Sequence, residues 1–563
     1  MGVAAAGIFG LGTTVAAAVA YADSTDSNPG PSASSSNAGT SNAGPKARAR
    51  SQSPASQPAA KARNAGTISQ PAVASASRKA APAATSPAAE ALSLAVSTLG
   101  VTPAASASAV SSPASPKFAR SRRGAVITAT ALPAAGGGGS VSTLGVSTPT
   151  HVLVIGIDGT NLSAILADDA NVNLQALMSG GTTAASTIVG HTTISNPSWT
   201  GILTGVWGET AGVINNVFTP WTYNKWPTVF NQLEAYDPNI QTTAIADWEN
   251  IAQIAGAGLL PADTIKFFPK YQNSWLKTDD LVGQASVDAI NATTAGVSSF
   301  QFSYFVGVDN TGHETSAGSP EYAQALRNAD ANVGDIMTAV DAWNTAHPTE
   351  KWTVLVTTDH GQVPWPTIRI GSDMRAHGFQ TPWETTTFVI ANGAGFTAGA
   401  INNTYLNIDV TPTVSALFGL APEPYSQGKP LMERAANDYK PVVAGQAALN
   451  QALTDAIDMY GYPDIATNAA LVVRTIAATI PYVVYTLFNG LTADMSSPLK
   501  LPIQFVGAVL YQLANIPAQI IARLTGVTGN EIIPPDLWPY TPVPGVQPLP
   551  PATAVPTPMA IAV

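Results

Sequence analysis

The run His151-Val-Leu-Val-Ile-Gly-Ile157, delivered onto Asp158-Gly159, constrains this chain more than any other stretch. A continuous apolar segment of strand length suits a strand buried on both faces of a parallel sheet. The same grammar recurs at Ser299–Val308, which ends in Asp309, and at Lys351–Thr358, which ends in Asp359-His360. Helix-compatible segments fall between these runs, at about 161–178, 278–294 and 321–343. This alternation predicts an α/β domain with a mostly parallel sheet. Ligands of such sheets bind beyond the carboxyl ends of the strands. One strand-end Asp is more often a helix cap than a functional group, whereas three of them define a candidate site. Thr385–Ala391 adds a further strand, and the segment opening at Asp409 reads as a short helix with Asp409 in a structural role.

The flanks have a different texture. Residues 3–20 are small and apolar, and Ala20-Tyr21-Ala22 has the small-x-small form of a cleavage site. A basic leading segment is missing, so residues 1–22 read as an export signal or as an Ala-rich tail, with the signal preferred. Residues 23–148 are Ala, Ser, Pro and Gly with scattered Lys and Arg, too poor in large apolar side chains to offset ordering entropy, and predict a disordered linker. Val-Ser-Thr-Leu-Gly-Val occurs at Val96 and again at Val141, a duplication within that linker. The expected catalytic domain spans 149–437, a mainly helical region 438–533 and a Pro-rich extended tail 534–563. Apolar runs at Leu471–Leu487 and Phe505–Ala522 are interrupted or bounded by Arg474, Pro481, Pro517 and Arg523, which favours packed helices over membrane spans. Peripheral association with the cell envelope is compatible with them, and the expected location is secreted or cell envelope.

Charge and cysteine content exclude several classes. The chain has no cysteine, which removes disulfides, Cys-ligated zinc and thiol catalysis. Residues 1–150 hold 11 of the 25 Lys and Arg but 3 of the 35 Asp and Glu, so the folded part is acidic. No nucleic-acid-binding surface is expected of it, although a buried metal centre can still attract an anion.

Asp309-Asn-Thr-Gly-His313 sets a carboxylate and an imidazole four residues apart just past a strand, able to meet on one cation. Asp359-His360 is a second such pair, and Asp158 and His377 complete six candidate ligands. The remaining histidines, His151, His191 and His347, are read as structural or exposed. Ser195-Asn-Pro-Ser-Trp-Thr-Gly-Ile-Leu-Thr-Gly205 has the form of a nucleophile at the mouth of an α/β sheet. A serine alcohol is protonated at neutral pH unless a cation or base makes its alkoxide accessible. Two cations about 3.5–4 Å apart can serve both the attacking and the leaving oxygen. Mixed His and carboxylate ligands suit Zn²⁺, and carboxylates alone Mg²⁺ or Mn²⁺.

In that order these motifs resemble the alkaline phosphatase superfamily, and within it the type I phosphodiesterase and nucleotide pyrophosphatase group, over about residues 150–435. The resemblance implies an alkaline-phosphatase-like three-layer sandwich holding two divalent ions, typically Zn²⁺. Asp158, Ser195, Asp359 and His360 would hold one, and Asp309, His313 and His377 the other. The family's nucleophile lies nine positions before the Thr of Thr204-Gly205, which selects Ser195 over its competitor Thr193. A phosphoryl oxygen would be bound by Asn216, with Asn215 as alternative. Ala211 departs from the His often found there, which concerns the cleft rather than the metals. Sulfatases share the fold but need Arg where this chain has Trp199. The implied activity is an exported, metal-dependent phosphohydrolase acting through a phosphoserine on a small phosphodiester or nucleotide-type substrate. Monoester hydrolysis and a non-catalytic envelope role are the alternatives. Trp199, Trp207 and Phe218 are either contacts for a second ester group or core.

Overall fold

A computed structural model describes residues 148–551, except 368, 371, 372, 375, 376, 435–444 and 494. The expected export signal, all but the last residue of the expected linker and the end of the Pro-rich tail lie outside the described residues.

The elements used below are, in chain order, β1 His151–Ile157, α1 Leu162–Ala167, α2 Val172–Gly180, β2 Thr182–Thr187, α3 Ser195–Thr204, β3 Gln241–Ala246, β4 Thr264–Phe267 and α4 Trp275–Asn291. There follow β5 Ser299–Phe305, α5 Gly307–Thr315, α6 Pro320–Ala346, β6 Trp352–Thr357, β7 Thr386–Asn392 and β8 Ala400–Ile401. Three helices close the chain: α7 Gln446–Ile457, α8 Ile465–Thr492 and α9 Ser497–Leu524.

Eight strands form one sheet in the order β8-β2-β7-β6-β1-β5-β3-β4. β1 lies between β6 and β5 and is parallel to both, β5 continues parallel through β3 to β4, and β7 runs antiparallel to β6 and β2. All seven residues of β1 are buried, as an uninterrupted apolar run requires. Alternation sends Leu153, Ile155 and Ile157 into a core shared with α1, α2, α6 and α7. Val152 and Val154 enter a second core on the other face, with Trp199, Ile202 and Leu203 of α3. The architecture is thus a three-layer α/β sandwich with a mostly parallel central sheet.

The sequence segment 161–178 is divided into α1 and α2, and the strand expected over Ser299–Val308 stops at Phe305. Asp309 therefore sits in the first turn of α5, not at the strand end. The strands β2 and β3 carry too many Thr, Ala and Gln for an apolar run, β4 has four residues and β8 two, and all four escaped the sequence reading. The Pro-rich tail is tied to the sheet rather than free: Phe267 N–H donates to Gly545 O at 2.7 Å and Gln547 N–H to Phe267 O at 2.8 Å. That contact covers the edge of β4, which would otherwise offer open backbone groups.

The C-terminal helices pack on the sandwich. Arg474 of α8 pairs with Glu209 at 2.8 Å, and Asn215 Nδ2 donates to the Ala478 carbonyl at 2.7 Å. The helical character expected for 438–533 is present where that region is described.

Candidate metal centre and nucleophile

Because β1, β5 and β6 run parallel in register, their carboxyl ends open on one side of the sheet. Asp158 follows β1 directly, Asp359 comes two residues after β6, and α5 starts two residues after β5. The i,i+4 spacing on α5 then stacks Asp309 and His313 on one helix face.

Two trios result, Asp158–Asp359–His360 and Asp309–His313–His377, each with its ligand-type atoms within 4.8 Å of one another. In the first, His360 Nε2 is 3.3 Å from Asp359 Oδ2 and 3.8 Å from Asp158 Oδ1. In the second, His313 Nε2 is 3.3 Å from Asp309 Oδ2 and 3.1 Å from His377 Nε2. The rings of His360 and His377 stack at 3.8 Å between centroids, so the trios adjoin. Gly159 makes the approach possible: its φ is +58°, and a Cβ there would meet Asp309 Oδ1 at 2.2 Å.

All six side chains are buried. Asp359 Oδ1 accepts from the Gly159 N–H at 3.2 Å, while Oδ2 has no hydrogen bond. Burial, followed by the charges of Asp158 and Asp309, pushes the Asp359 carboxyl well above the usual carboxylate range. Three carboxylates with three imidazoles and no Lys or Arg among them make a donor set that fits divalent cations, and the open Asp359 oxygen is the kind of group a cation completes.

Supporting residues hold the carboxylates in place. Trp199 Nε1 donates to Asp158 Oδ2 at 2.7 Å, and the Tyr304 hydroxyl donates to the same oxygen. Gln362 Nε2 donates to the Asp309 carbonyl at 2.9 Å and to its carboxylate. His377 Nδ1 bonds the Thr193 carbonyl at 2.7 Å, which turns Nε2 towards Asp309. Its loop is tied by Phe379, whose N–H donates to Glu384 Oε1 at 2.8 Å and whose carbonyl accepts from Thr193 Oγ1 at 2.8 Å. None of these supports carried a signal in the sequence, since a Trp, Tyr or Gln reads as ordinary core.

Ser195 is the first residue of α3, at the positive end of the helix dipole, with Oγ 3.2 Å from His360 Nε2. Gly205, at φ +77°, closes the same helix in a left-handed cap, which explains the Thr-Gly ending. Thr193 is near the site, but its hydroxyl is spent on Phe379. Asn216 Oδ1 accepts from the Asn196 N–H at 2.9 Å, beside Ser195. Asn215, by contrast, donates to Ala478 O and accepts from the Val217 N–H, which commits it to architecture.

Of the three aromatics read as ester contacts or core, two are core: Trp199 is fully buried against Phe302 and Tyr304, and Phe218 is buried and stacks on Tyr223. Trp207 is half-buried and stacks on His191 at 3.6 Å. His151 lies between Trp343 and Trp352, His347 packs on Trp343, and Asp409 accepts from Lys429 and Leu406 N–H and pairs with Arg434, all structural roles.

One strand-end carboxylate was missed. Asp247 follows β3, accepts from the Val306 N–H at 2.9 Å, and faces Asp279 of α4, which accepts from the Gly307 N–H at 3.1 Å. The pair therefore receives the start of α5. Burial pushes Asp279 up to about 7, and burial with the facing Asp279 charge raises Asp247 well above the usual range.

The mostly parallel sheet thus gathers two carboxylate–imidazole trios at its strand ends, with a serine beside one of them. Residues 152–401 match the family described as type I phosphodiesterase / nucleotide pyrophosphatase. The matched segment runs from β1 to β8, so the sheet domain is similar to that family, whose description is that of a hydrolase. Similar solved structures include murine ectonucleotide pyrophosphatase/phosphodiesterase 5, at 14% identity and TM-score 0.38, over 49% of this chain and 96% of that one. A 2-O GAG sulfatase is similar at 13% identity and TM-score 0.39, over 51% of this chain and 73% of that one. No curated protein sequence matches the chain.

Proposed function

We propose that the chain is an exported phosphodiesterase with two zinc ions and Ser195 as nucleophile, acting on a small phosphate diester or nucleotide-type substrate. The observation that carries this reading is the pair of adjoining buried trios, with Ser195 Oγ 3.2 Å from His360 of the first. Asp158, Asp359, His360 and Ser195 would hold one ion, and Asp309, His313 and His377 the other. Bound there, the ions would supply Lewis-acid stabilisation of the serine alkoxide and of the phosphoryl oxygens. The mixed nitrogen and oxygen donor set favours Zn²⁺.

Ser195 Oγ forms a bond to phosphorus as the bond to the leaving alcohol breaks. The amino-terminal position on α3 favours its anionic form. Water then cleaves the phosphoserine, returning the hydroxyl and releasing the monoester. Asn216, fixed by its bond to the Asn196 N–H, is the side chain suited to receive a phosphoryl oxygen. Thr193 orients His377 and is a positioning residue in this reading. Trp199, at the position where a sulfatase carries Arg, is packed in the core and holds Asp158, which disfavours sulfate esters.

The test is hydrolysis of a bis-nitrophenyl phosphodiester together with metal content. Wild type should turn over and carry about two zinc per chain, whereas Ser195→Ala should lose at least about 10³-fold in rate while retaining metal. Undiminished turnover by Ser195→Ala would transfer the role to Thr193. Comparing a diester with a monoester then decides substrate preference.

A further inference from the structure

The C-terminal hairpin is arranged inside out. On α9 the side chains turned to the protein include Tyr511, Asn515 and Gln519, at 5%, 1% and 8% exposure. The side chains turned outward include Leu501, Phe505, Val509 and Leu513 at i,i+4 spacing, exposed by 67%, 62%, 40% and 66%. Ile520 and Leu524 continue the exposed face, and Leu487 and Leu491 of α8 add to the hairpin's exposed apolar residues. Water-soluble helices turn their apolar stripe to the core. A polar-in, apolar-out helix suits an apolar solvent, in which polar groups must find partners within the protein. Gln519 does so here, its Oε1 accepting from Asn530 Nδ2 at 2.9 Å and its Nε2 donating to Asn515 Oδ1 at 3.3 Å, and Gln512 donates to the Asp536 carbonyl at 2.8 Å.

Charge is disposed accordingly. From Leu501 to Ala522 no residue is charged, and the helix's charged side chains are Lys500 and Arg523, one at each end. Two basic groups about 35 Å apart along the axis suit phosphate headgroups flanking a hydrocarbon-facing stripe. The acidic residues Glu531 and Asp536 come after the helix.

Length and hydropathy would let either helix cross a bilayer, but the docking of α8 argues against crossing. Arg474, in the middle of α8, is buried and bonds Glu209, Thr192 and Thr525, so crossing would strip a guanidinium of its partners. We propose that the outer face of α9 docks the enzyme on a lipid bilayer, lying in the interface rather than spanning it. This does not rest on the phosphodiesterase reading.

Flotation of the full chain with phosphatidylcholine vesicles, alone and containing phosphatidylglycerol, tests the proposal. Wild type should float with vesicles, and Phe505→Glu/Leu513→Glu should partition on the order of a hundredfold less, with an unchanged thermal melt in solution as the control for folding. Because the chain has no cysteine, a fluorophore on Leu513→Cys provides a second measurement. Its emission should shift to the blue on vesicles, and that of the same label on Asp341→Cys of α6 should not. Wild type that stays with neither vesicle type, or a Leu513→Cys label that vesicles leave unshifted, would overturn docking. A wild-type dimer that the double variant converts to monomer, without vesicle binding, would assign the face to a second copy instead.

Discussion

The strand-end cluster and the Arg474–Glu209 contact both bury charge, and they differ in how it is answered. Burial alone would raise Glu209, but the His191 hydrogen bond and the charges of His191 and Arg474 hold it down at about 2. Glu209 also accepts from the Thr192 N–H and hydroxyl at 3.0 and 2.9 Å. Asp359 meets the opposite surroundings: the charges of Asp158 and Asp309 act against its ionisation, and one of its oxygens accepts no hydrogen bond. A buried charge with its partners in place serves architecture; one that the protein leaves uncompensated serves a ligand. The two regions join in the loop before Ser195, because Thr192 bonds Glu209 while the carbonyl of the next residue, Thr193, orients His377.

That contrast can be broken by substitution. Asp359→Asn is expected to lower diester turnover by at least about 10²-fold yet leave the metal-free protein as stable or more so, since one of three facing carboxylates is neutralised. A thermal melt in chelator that falls below wild type would count against an uncompensated charge. Arg474→Met should act in the reverse sense, costing about 3–5 kcal/mol of stability in a denaturant titration by stranding Glu209. Glu209→Gln in the same chain should recover part of that loss, and no recovery would mean that the pair is not the source.

Smaller effects sharpen the comparison. Trp199→Phe keeps the ring in the core but removes the bond to Asp158, and metal affinity should fall about 10–100-fold in a competitive chelator titration. Unchanged affinity would leave Trp199 a packing residue only. The Asp247–Asp279 pair makes a pH prediction. Asp279 sits at about 7 in the folded protein against about 3.9 unfolded, so the folded state keeps a proton that the unfolded state has lost. Stability from this group is complete below the unfolded value and declines as pH rises through about 7. Asp279→Asn can still accept from the Gly307 N–H and should flatten that decline between pH 4 and 7; an unaltered pH profile would reject the shared proton.

Much of the site was legible because its parts sit at strand ends, where an apolar run gives both the strand and its terminus. Asp158 and Asp359 followed from β1 and β6 in this way. Asp309 and His313 followed from their spacing, although the element carrying them is a helix rather than a loop. Asp247 was missed since β3, with Gln241, Thr242 and Thr243, lacks the apolar texture that marks the other strands. The split of Asn215 from Asn216 was equally closed to sequence, because only the packing of α8 takes Asn215 away from the site.

By itself the sequence determined the alternation of strands and helices, the exclusion of thiol chemistry and the six candidate ligands, since these depend on residue type and local spacing. Tertiary structure alone decided which oxygen Trp199 and Tyr304 hold, how Thr193 aims His377, and that α9 turns its apolar face outward. Those outcomes depend on where distant segments meet. Hydropathy measures how apolar α9 is, but only the residues packed against it decide which face water or lipid receives.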